Sequence, residues 1–300
     1  MELKAKPFLK WAGGKKQLIK DIDARLPEEI HTGQITTYIE PFIGGGAVFF
    51  HIAQKYEAIE NFVLLDINKD LIGCYNTVKN DVENLIHELL DLQEQFLSLT
   101  QPKRRAFFSK IRTQFNKEKK SEFSTETAAK LIFLNRTCFN GLYRVNKKGE
   151  FNVPIGSYKK PRICDGDNLR AVSTLLQKAT IICADYKDCL KHIDDKTFVY
   201  LDPPYRPLSS TANFTAYSKE DFNEEDQKQL ADFCKLIDGQ GAKLLLSNSD
   251  PQNEDSKDHF FKDHYPEKWG FNIDTVKASR IINCKPSGRG QINELLITNY

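Results

Sequence analysis

The chain has 300 residues, of which 40% are apolar and 28% charged, and its formal net charge is +2. This length and apolar content suffice for one large domain, or for one domain with a sizeable insertion. No stretch reaches the roughly 18 uncharged apolar residues of a membrane helix, and no secretion signal opens the chain, so we expect a cytoplasmic globular protein.

The predicted strands are short apolar runs rich in β-branched residues, and they alternate with amphipathic stretches. This pattern predicts an α/β fold, in which helices cover both faces of a mostly parallel, doubly wound sheet. The last two runs adjoin without a helix between them and predict an antiparallel hairpin at the sheet edge. The runs are residues 36–40, 61–66, 179–185, 197–202, 242–248, 272–278 and 293–300.

More than 100 residues lie between the second and third predicted strands and do not resemble a sheet. A stretch punctuated by Gly and Asn, residues 139–156, predicts a short hairpin within this segment. The rest of the segment is amphipathic with helical spacing. The helical patterns cover residues 69–98, 103–116 and 124–136.

Charge is distributed unevenly along the chain. Between Lys103 and Arg162 there are 16 Lys or Arg residues against 4 Asp or Glu, a net of +12, whereas the remainder carries −10. A concentrated positive charge of this kind indicates a polyanionic partner. We therefore expect a mainly helical, positively charged insertion at residues 70–163, inside an α/β domain formed by residues 1–69 and 164–300.

Cysteine and histidine give no sign of a disulfide framework or a metal site. The seven cysteines form no C-x-x-C pair, and the six histidines show no metal-binding spacing. We therefore expect the cysteines to be reduced and mostly buried, and we assign no metal.

The stretch YIEPFIGGGAVFF, residues 38–50, places three glycines between a predicted strand and a helix. Glycines there permit a tight turn and let a ligand approach the main chain, and Asp66 ends the next strand, where an acid commonly accepts ribose hydroxyls. A plain strand-to-helix turn is the alternative. No phosphate loop occurs, and the sulfonium of S-adenosylmethionine suits nearby carboxylates. These carboxylates are Glu40, Asp66, Asp185 and Asp202.

The sequence FVYLDPPY, residues 198–205, ends the fourth predicted strand. Two prolines remove two amide donors and fix the chain, so the Asp202 carboxylate and the Pro203 carbonyl form a rigid pair of acceptors. Such a pair could hold the two hydrogens of a nucleobase amine, while Tyr205 stacks on the base. The alternative is that Asp-Pro-Pro merely ends the strand.

Five stretches, in order over nearly the whole chain, carry a joint signal: FLKWAGGK (8–15), EPFIGGG (40–46), NRTCFNGLYRVNKKGEFNVPIGSYKKP (135–161), DPPYRPLSSTANFTAY (202–217) and GRGQINELLITNY (288–300). Together they closely resemble the Dam-type, D12-class DNA adenine-N6 methyltransferases. The match is to the group in which glycine loop, recognition segment and DPPY follow in that order. The resemblance implies a Rossmann-like methyltransferase fold with S-adenosylmethionine as donor.

The resemblance also implies roles for individual residues. Asp202, Pro203, Pro204 and Tyr205 would hold the target adenine. The donor would be contacted by Trp11, Lys15, Asp66 and Asp202, with Phe42, Gly44, Asp185 and Tyr186 lining its pocket and Glu40 nearby. Without the family, ordinary core packing for Trp11 and a solvated charge for Lys15 would be reasonable interpretations.

Adenine N6 is inaccessible inside a duplex, so the base has to rotate out of double-stranded DNA. Phe139 precedes the turn signal Asn140-Gly141, and the resemblance implies that its ring enters the base stack. It further implies GATC as the site, read through Lys10, Asn140, Leu142, Arg144 and Pro154. Arg144 could grip a guanine, although a phosphate contact or a salt bridge is as common for one arginine.

The remaining basic residues of the insertion are predicted phosphate contacts, although some will be idle solvated charges. We also expect residues 206–222 and 284–291, both polar, to order when DNA binds. The predicted phosphate contacts are Lys103, Arg104, Arg105, Lys117, Lys119, Lys120, Lys147, Lys148, Lys159 and Lys160.

Three functions compete. A site-specific DNA adenine methyltransferase acting as a monomer is favoured. Methyl transfer to cytosine N4 or to an amide nitrogen is disfavoured, because those sites usually carry Ser or Asn where this chain has Asp202. A catalytically idle DNA-binding protein is disfavoured by the intact Asp202–Tyr205 set. Relatives on the same scaffold read longer sites, so a different recognition sequence remains an alternative to GATC.

Overall fold

Three parts of the chain are described by the computed structural model: residues 4–206, 222–279 and 291–300. Of the two segments expected to order on DNA binding, the first is described only at Arg206 and Phe222 and the second only at Gln291. Their other residues, and Cys284, lie outside the described residues.

A single mixed sheet of seven strands forms within the described residues, and each predicted run supplies one strand. The strands that the sequence places first to fifth pair in parallel, and the last two pair antiparallel. The strands are β1 (Thr37–Glu40), β2 (Asn61–Asp66), β3 (Ala179–Cys183), β4 (Thr197–Leu201), β5 (Lys243–Ser249), β6 (Asn272–Ser279) and β7 (Gln291–Thr298).

The strand order is β3-β2-β1-β4-β5-β7-β6, so the predicted antiparallel hairpin at the edge is confirmed. From β1 the chain moves outward to β2 and β3, and it then returns to place β4 on the other side of β1. The register sets Ile39 beside both Val63 and Val199. The strand order therefore reverses between β1 and β4, the kind of switch point at which open α/β sheets bind ligands.

Helices flank the sheet, and polar side chains begin several of them. Asn68 accepts two backbone N–H groups at one helix start, and Asn223 forms a capping box with Asp226 at another. The helices are α1 (Ile19–Asp23), α2 (Glu28–His31), α3 (Ala47–Lys55), α4 (Lys69–Asn80), α5 (Val82–Ser98), α6 (Gln101–Glu118), α7 (Thr125–Thr137), α8 (Gly166–Leu176), α9 (Glu224–Gly239) and α10 (Phe260–His264).

The two faces of the sheet bury alternate residues of each strand. Tyr38 lies in a core shared with α3, α4 and the helices of the insertion, whereas its neighbour Ile39 lies in a second core with α9 and α10. Successive side chains of a strand point to opposite faces, so a strand that is apolar throughout requires cover on both. The doubly wound Rossmann-like fold predicted from the sequence is confirmed.

The helical pattern over residues 69–98 is divided into α4 and α5 by Asp81, which has non-helical backbone angles. The Asp81 carboxylate accepts hydrogen bonds from Asn84 Nδ2 at 2.7 Å and from Thr125 Oγ1 at 2.5 Å. Aspartate favours such local bonds over a helix interior, which explains the break.

The helical insertion packs around Phe133 of α7, whose ring meets Phe96 of α5 and Phe107 of α6 with centroids 5.3 and 5.7 Å apart. After α7 the chain folds back, and antiparallel bridges join Cys138 to Ile155 and Val145 to Phe151 in the region of the predicted hairpin. The division into residues 1–69 with 164–300 and residues 70–163 stays a prediction.

Candidate active site and nucleic-acid interface

The carboxyl ends of the parallel strands bring the predicted acids to one edge of the sheet. Glu40 ends β1, Asp66 ends β2 and Asp202 follows β4 directly. Each stands where its apolar strand leaves the core, so its side chain can meet a ligand without breaking the sheet. The strand order places these three acids at the same edge of the sheet.

Lys15 and Asp202 form a largely buried ion pair at this edge. Lys15 is 6% exposed, and its Nζ lies 2.6 Å from Asp202 Oδ1 and 2.8 Å from the Gly13 carbonyl oxygen. Ser247 Oγ of β5 donates to the same Asp202 oxygen at 3.1 Å. Burial raises the pKa of Asp202 above its ordinary value although Lys15 and Ser247 both lower it, so this carboxylate is a stronger base than an exposed one.

Tyr205 packs over the same ion pair. The Lys15 ammonium lies 4.6 Å from the centre of the Tyr205 ring, within the range of a cation–π contact. The Tyr205 hydroxyl donates to Glu294 Oε2 of β7 at 2.6 Å. The ring is therefore held both at its face and at its polar end.

The two prolines present different carbonyls. The Pro204 carbonyl accepts from Gln227 Nε2 of α9 at 2.9 Å, and Gln227 Oε1 in turn accepts from Asn248 Nδ2 at 3.1 Å. Within the described residues nothing donates to the Pro203 carbonyl. Of the two acceptors that the sequence predicts, Asp202 is paired with Lys15 and Ser247, whereas the Pro203 carbonyl has no donor among residues 4–206, 222–279 and 291–300.

The glycine loop between β1 and α3 is shaped by positive φ angles at Gly44 and Gly46, which only glycine adopts at low cost. Gly44 N–H donates to Asp66 Oδ2 at 3.2 Å, and the Gly44 carbonyl accepts from Tyr75 at 3.1 Å. The Trp11 indole packs closely against the loop at Gly44. A side chain at position 44 would crowd it, since a Cβ there would stand 3.0 Å from Trp11 Cδ1. Trp11 and Asp66 thus both contact the loop at Gly44.

Asp66 accepts two backbone N–H groups, from Gly44 and from Asn68, the latter at 2.9 Å. Burial raises its pKa to about 6 although both hydrogen bonds lower it. Glu40 is buried and accepts from the Tyr38 hydroxyl at 2.6 Å. Burial raises the pKa of Glu40 well above its ordinary value, and the charge of Asp202 adds to the rise. The two acids thus differ in how far they reach solvent.

Residues after β3 form the far side of the site. Phe42 stacks on Tyr186 with ring centroids 5.3 Å apart, and both pack near Phe222. Asp185 is exposed, and its Oδ1 accepts from the backbone N–H of Lys187 at 3.0 Å. This arrangement gives an apolar wall with an acid at its rim, as the pocket lining inferred from the resemblance requires.

Four of the predicted recognition residues, Phe139, Asn140, Leu142 and Arg144, lie in the segment that follows α7, where Phe139 is 53% exposed. Its backbone N–H donates to the Pro154 carbonyl at 2.8 Å, and Asn140 has φ +56°, the left-handed turn conformation that Asn tolerates. The ring is accessible from solvent at this turn. Phe139 is therefore suited to contact a ligand outside the protein.

Asn135, which the sequence analysis missed, ties Lys10 to this loop. It is buried in α7, accepts from Lys10 N–H at 2.9 Å, and donates its Nδ2 to the carbonyls of Lys10 and Gly141, each at 2.9 Å. Nearby, the exposed Arg144 donates from Nε to Asn152 Oδ1 at 2.7 Å. The N-terminal segment and the recognition loop are thus brought together although they are far apart in sequence.

Two predicted phosphate contacts are wrong, Arg104 and Lys119. Arg104 is 9% exposed and donates to four backbone carbonyls, those of Phe96, Leu97, Leu99 and Lys159. Lys119 is buried against Asp70. Both cations are satisfied inside the insertion, so neither can meet a phosphate.

Several supporting residues escaped sequence analysis because each lies outside the quoted motifs or has an ordinary local pattern. Three of them lie on helices and two on strands, and no local pattern distinguished them from their neighbours. They are Asp70, Asn135, Gln227, Ser247 and Glu294. Within the described residues there is no group of three or more His, Cys, Asp or Glu side chains that could hold a metal, and no helix there is long and apolar enough to cross a membrane.

The fold is that of a Rossmann-like α/β enzyme whose predicted site lies at the switch point of the sheet, in a chain that also carries a basic segment with an exposed aromatic residue. The chain matches the family of D12 class N6 adenine-specific DNA methyltransferases over residues 11–282. It belongs to this family and is an adenine-specific DNA methyltransferase.

Named relatives span almost the whole chain. The type II methyltransferase M.MjaIII of Methanocaldococcus jannaschii is 52% identical over 99% of this chain and 100% of its own length. Type II methyltransferase M1.LlaDCHI of Lactococcus lactis is 38% identical, covering 100% and 97%. DNA adenine methylase of Escherichia coli K12 is 34% identical, covering 98% and 95%. The family predicted from the sequence is confirmed, whereas the roles of single residues stay predictions.

Proposed function

We propose that the enzyme transfers a methyl group from S-adenosylmethionine to N6 of an adenine rotated out of double-stranded DNA, within the site GATC. One arrangement carries the proposal. The Asp202 carboxylate, the Pro203 carbonyl and the Tyr205 ring stand at the sheet edge next to the glycine loop. The amine that accepts the methyl group and the nucleoside that donates it can meet only where the segment after β4 and the glycine loop after β1 lie side by side.

The donor fits the residues around the glycine loop. Asp66 faces the loop with a carboxylate fixed by two N–H groups, which suits the hydroxyls of a ribose. The acids of this edge favour a cationic sulfonium over phosphates. When bound, the donor supplies an electrophilic methyl carbon. The residues that would hold it are Trp11, Lys15, Glu40, Phe42, Gly44, Asp66, Asp185, Tyr186 and Asp202.

The acceptor amine would be held by the DPPY residues. Asp202 and the Pro203 carbonyl would each accept one hydrogen of N6, which raises negative potential on a nitrogen whose lone pair is otherwise delocalised into the ring. Tyr205 would stack on the adenine, and Pro204 would keep the chain rigid. Burial raises the pKa of Asp202, which favours acceptance of the proton that N6 releases once it is methylated.

Entry of the adenine requires its place in the duplex to be filled. Phe139 supports this step because its ring is exposed at the tip of a turn next to Lys10 and Asn140. The exposed Arg144 has a guanidinium suited to guanine O6 and N7. The likeness of the recognition loop to Dam-type enzymes supports GATC, read through Lys10, Asn140, Leu142, Arg144 and Pro154.

Methyl transfer from a labelled donor to matched duplexes tests the proposal. We expect incorporation into a duplex with one GATC, at least tenfold less when any base of the site is changed, and none without adenine. Equal incorporation into a duplex with a different sequence would support methyl transfer to adenine and contradict GATC as the recognition site. Absence of transfer to any adenine-containing duplex would contradict the proposed function.

A further inference from the structure

Asp70 is a buried carboxylate that joins the donor side of the molecule to the insertion. It lies in the first turn of α4, four positions after Asp66, and is 2% exposed. Its Oδ2 accepts from the Tyr143 hydroxyl at 2.6 Å and also from Lys119 Nζ. No donor within the described residues reaches its Oδ1. The Oδ2 atom of Asp70 thus accepts hydrogen bonds from two residues, Tyr143 and Lys119, that are far from each other in sequence.

Tyr143 connects this carboxylate with the predicted donor pocket. Its buried ring stacks on Trp11 with centroids 5.0 Å apart and an interplanar angle of 24°. Trp11 also lies against Gly44 of the glycine loop. Tyr143 therefore touches, through one side chain, an aromatic of the donor pocket and an acid of the helix that follows Asp66.

The neighbours of Tyr143 in sequence are predicted to read bases. Leu142 has extended backbone angles, and in extended chain successive side chains point to opposite sides. Tyr143 is buried in the core, Leu142 packs against that core while partly buried, and Arg144 is exposed. A shift of the Tyr143 ring would accordingly move both neighbours.

We propose that Asp70 and Tyr143 are positioning residues that couple donor binding to DNA binding: a ligand packed against Trp11 fixes the Tyr143 ring, and Asp70 fixes its hydroxyl, so that Leu142 and Arg144 are held for base contact. This inference rests on the proposed donor and DNA sites. A purely stabilising role explains the arrangement less well, because a buried ion pair often stabilises no more than apolar packing of the same volume.

The coupling is measured by binding, without turnover. S-adenosylhomocysteine, which lacks the methyl group, is titrated into the enzyme with and without a saturating GATC duplex, and the ratio of the two dissociation constants is the coupling factor. We expect a factor of about five or more for the unaltered enzyme. In Tyr143→Phe, which keeps the ring on Trp11 and the ion pair of Asp70, we expect it to fall to within about twofold of unity.

Tyr56→Phe is the matched control. It removes a tyrosine hydroxyl that donates to Asp23 at 2.9 Å, away from both ligand sites. Its coupling should equal that of the unaltered enzyme. Asp70→Asn, which keeps an acceptor for Tyr143, should retain most of the coupling.

Unaltered coupling in Tyr143→Phe, an equal loss in Tyr56→Phe, or no coupling in the unaltered enzyme would each overturn the inference. A structural role alone would lower the melting temperature of Tyr143→Phe and leave its coupling factor unchanged. Failure of the proposed function is distinguishable, since it appears as an absence of methyl transfer by the unaltered enzyme rather than as a change in this ratio.

Discussion

At the sheet edge, burial disfavours the charged forms of two aspartates, and nearby hydrogen-bond donors stabilise them. Asp202 and Asp66 have pKa values raised by burial, and each is nevertheless supplied with donors: Lys15 and Ser247 for the first, and backbone N–H groups for the second. A carboxylate in this state gains most when a ligand provides a further donor or a positive charge. These acids are therefore suited to binding rather than to stabilising the ligand-free fold.

Replacing Asp202 tests the role of the acid in the chemical step. In Asp202→Ala we expect the rate of methyl transfer under saturating conditions to fall on the order of 100-fold or more, because one of two acceptors for the amine is lost. DNA affinity, measured by fluorescence anisotropy, should stay within about twofold, since the basic insertion is unchanged. Melting temperature serves as the control for folding. A variant that methylates at nearly the normal rate would refute the assignment.

The raised pKa of Asp66 predicts a pH dependence of donor binding. The carboxylate is needed in its charged form, so affinity for S-adenosylhomocysteine should decline as the pH falls from 7 to 5, with a midpoint near 6. Asp66→Asn should bind more weakly at pH 7 and show no such midpoint. A wild-type affinity that stays constant across this range would contradict the prediction.

The same group affects stability with the opposite sign. Because folding raises the pKa of Asp66 from 3.8 to about 6, the folded enzyme holds more protons than the unfolded chain between these values. The contribution of Asp66 to the free energy of unfolding therefore falls as the pH rises through this window. Melting temperatures of the ligand-free enzyme and of Asp66→Asn at pH 5 and 7 measure it. The decline between these pH values should be smaller in the variant.

At the scale of elements, the recognition loop depends on close contact between the N-terminal segment and the end of α7. Gly141 has φ +67°, and a Cβ there would stand 2.3 Å from Cδ of Lys10. Asn135 holds the backbones of both residues. The loop that presents Phe139 is thus set by a contact between two segments, and not by its own sequence alone.

Gly141→Ala should disturb this contact. We expect DNA affinity to fall about tenfold, because a positive φ and the displaced Lys10 side chain cost about 1–3 kcal/mol. Binding of S-adenosylhomocysteine without DNA should change by less than about twofold. Gly239→Ala is the control, since a Cβ there meets nothing within 4 Å. Equal DNA affinity of the two variants would show that the loop tolerates the side chain.

At the scale of the whole molecule, charge separates the two functions. Residues 103–162 carry a net of +12, whereas the rest of the chain, including the sheet edge with its acids, carries −10. Arg104 and Lys119 are paired with groups inside the protein. We therefore expect the exposed Lys and Arg side chains of residues 103–162 to supply the positive potential that attracts DNA. We expect the acidic remainder of the chain to repel phosphate from the proposed donor site, so that the duplex binds to the basic segment.

Salt dependence of DNA binding measures this division. Neutralising the exposed Lys147 and Lys148 together, as Lys147→Gln with Lys148→Gln, should reduce the slope of log affinity against log salt by about 1 to 2. The control pair is Lys178→Gln with Lys196→Gln. These lysines immediately precede β3 and β4, at the opposite edge of the sheet from the site. An equal change of slope in both pairs would contradict the assigned DNA face.

The sequence by itself determined the strands, the edge hairpin and the concentration of basic charge between Lys103 and Arg162, because apolar periodicity, turn residues and composition are local properties. The tertiary structure alone decided that Lys15 pairs with Asp202, that Tyr143 stacks on Trp11, and that certain cations are buried. Arg104 and Lys119 share their composition with exposed neighbours. Whether a charge meets solvent or a buried partner depends on the packing of residues distant in sequence, which no local pattern encodes.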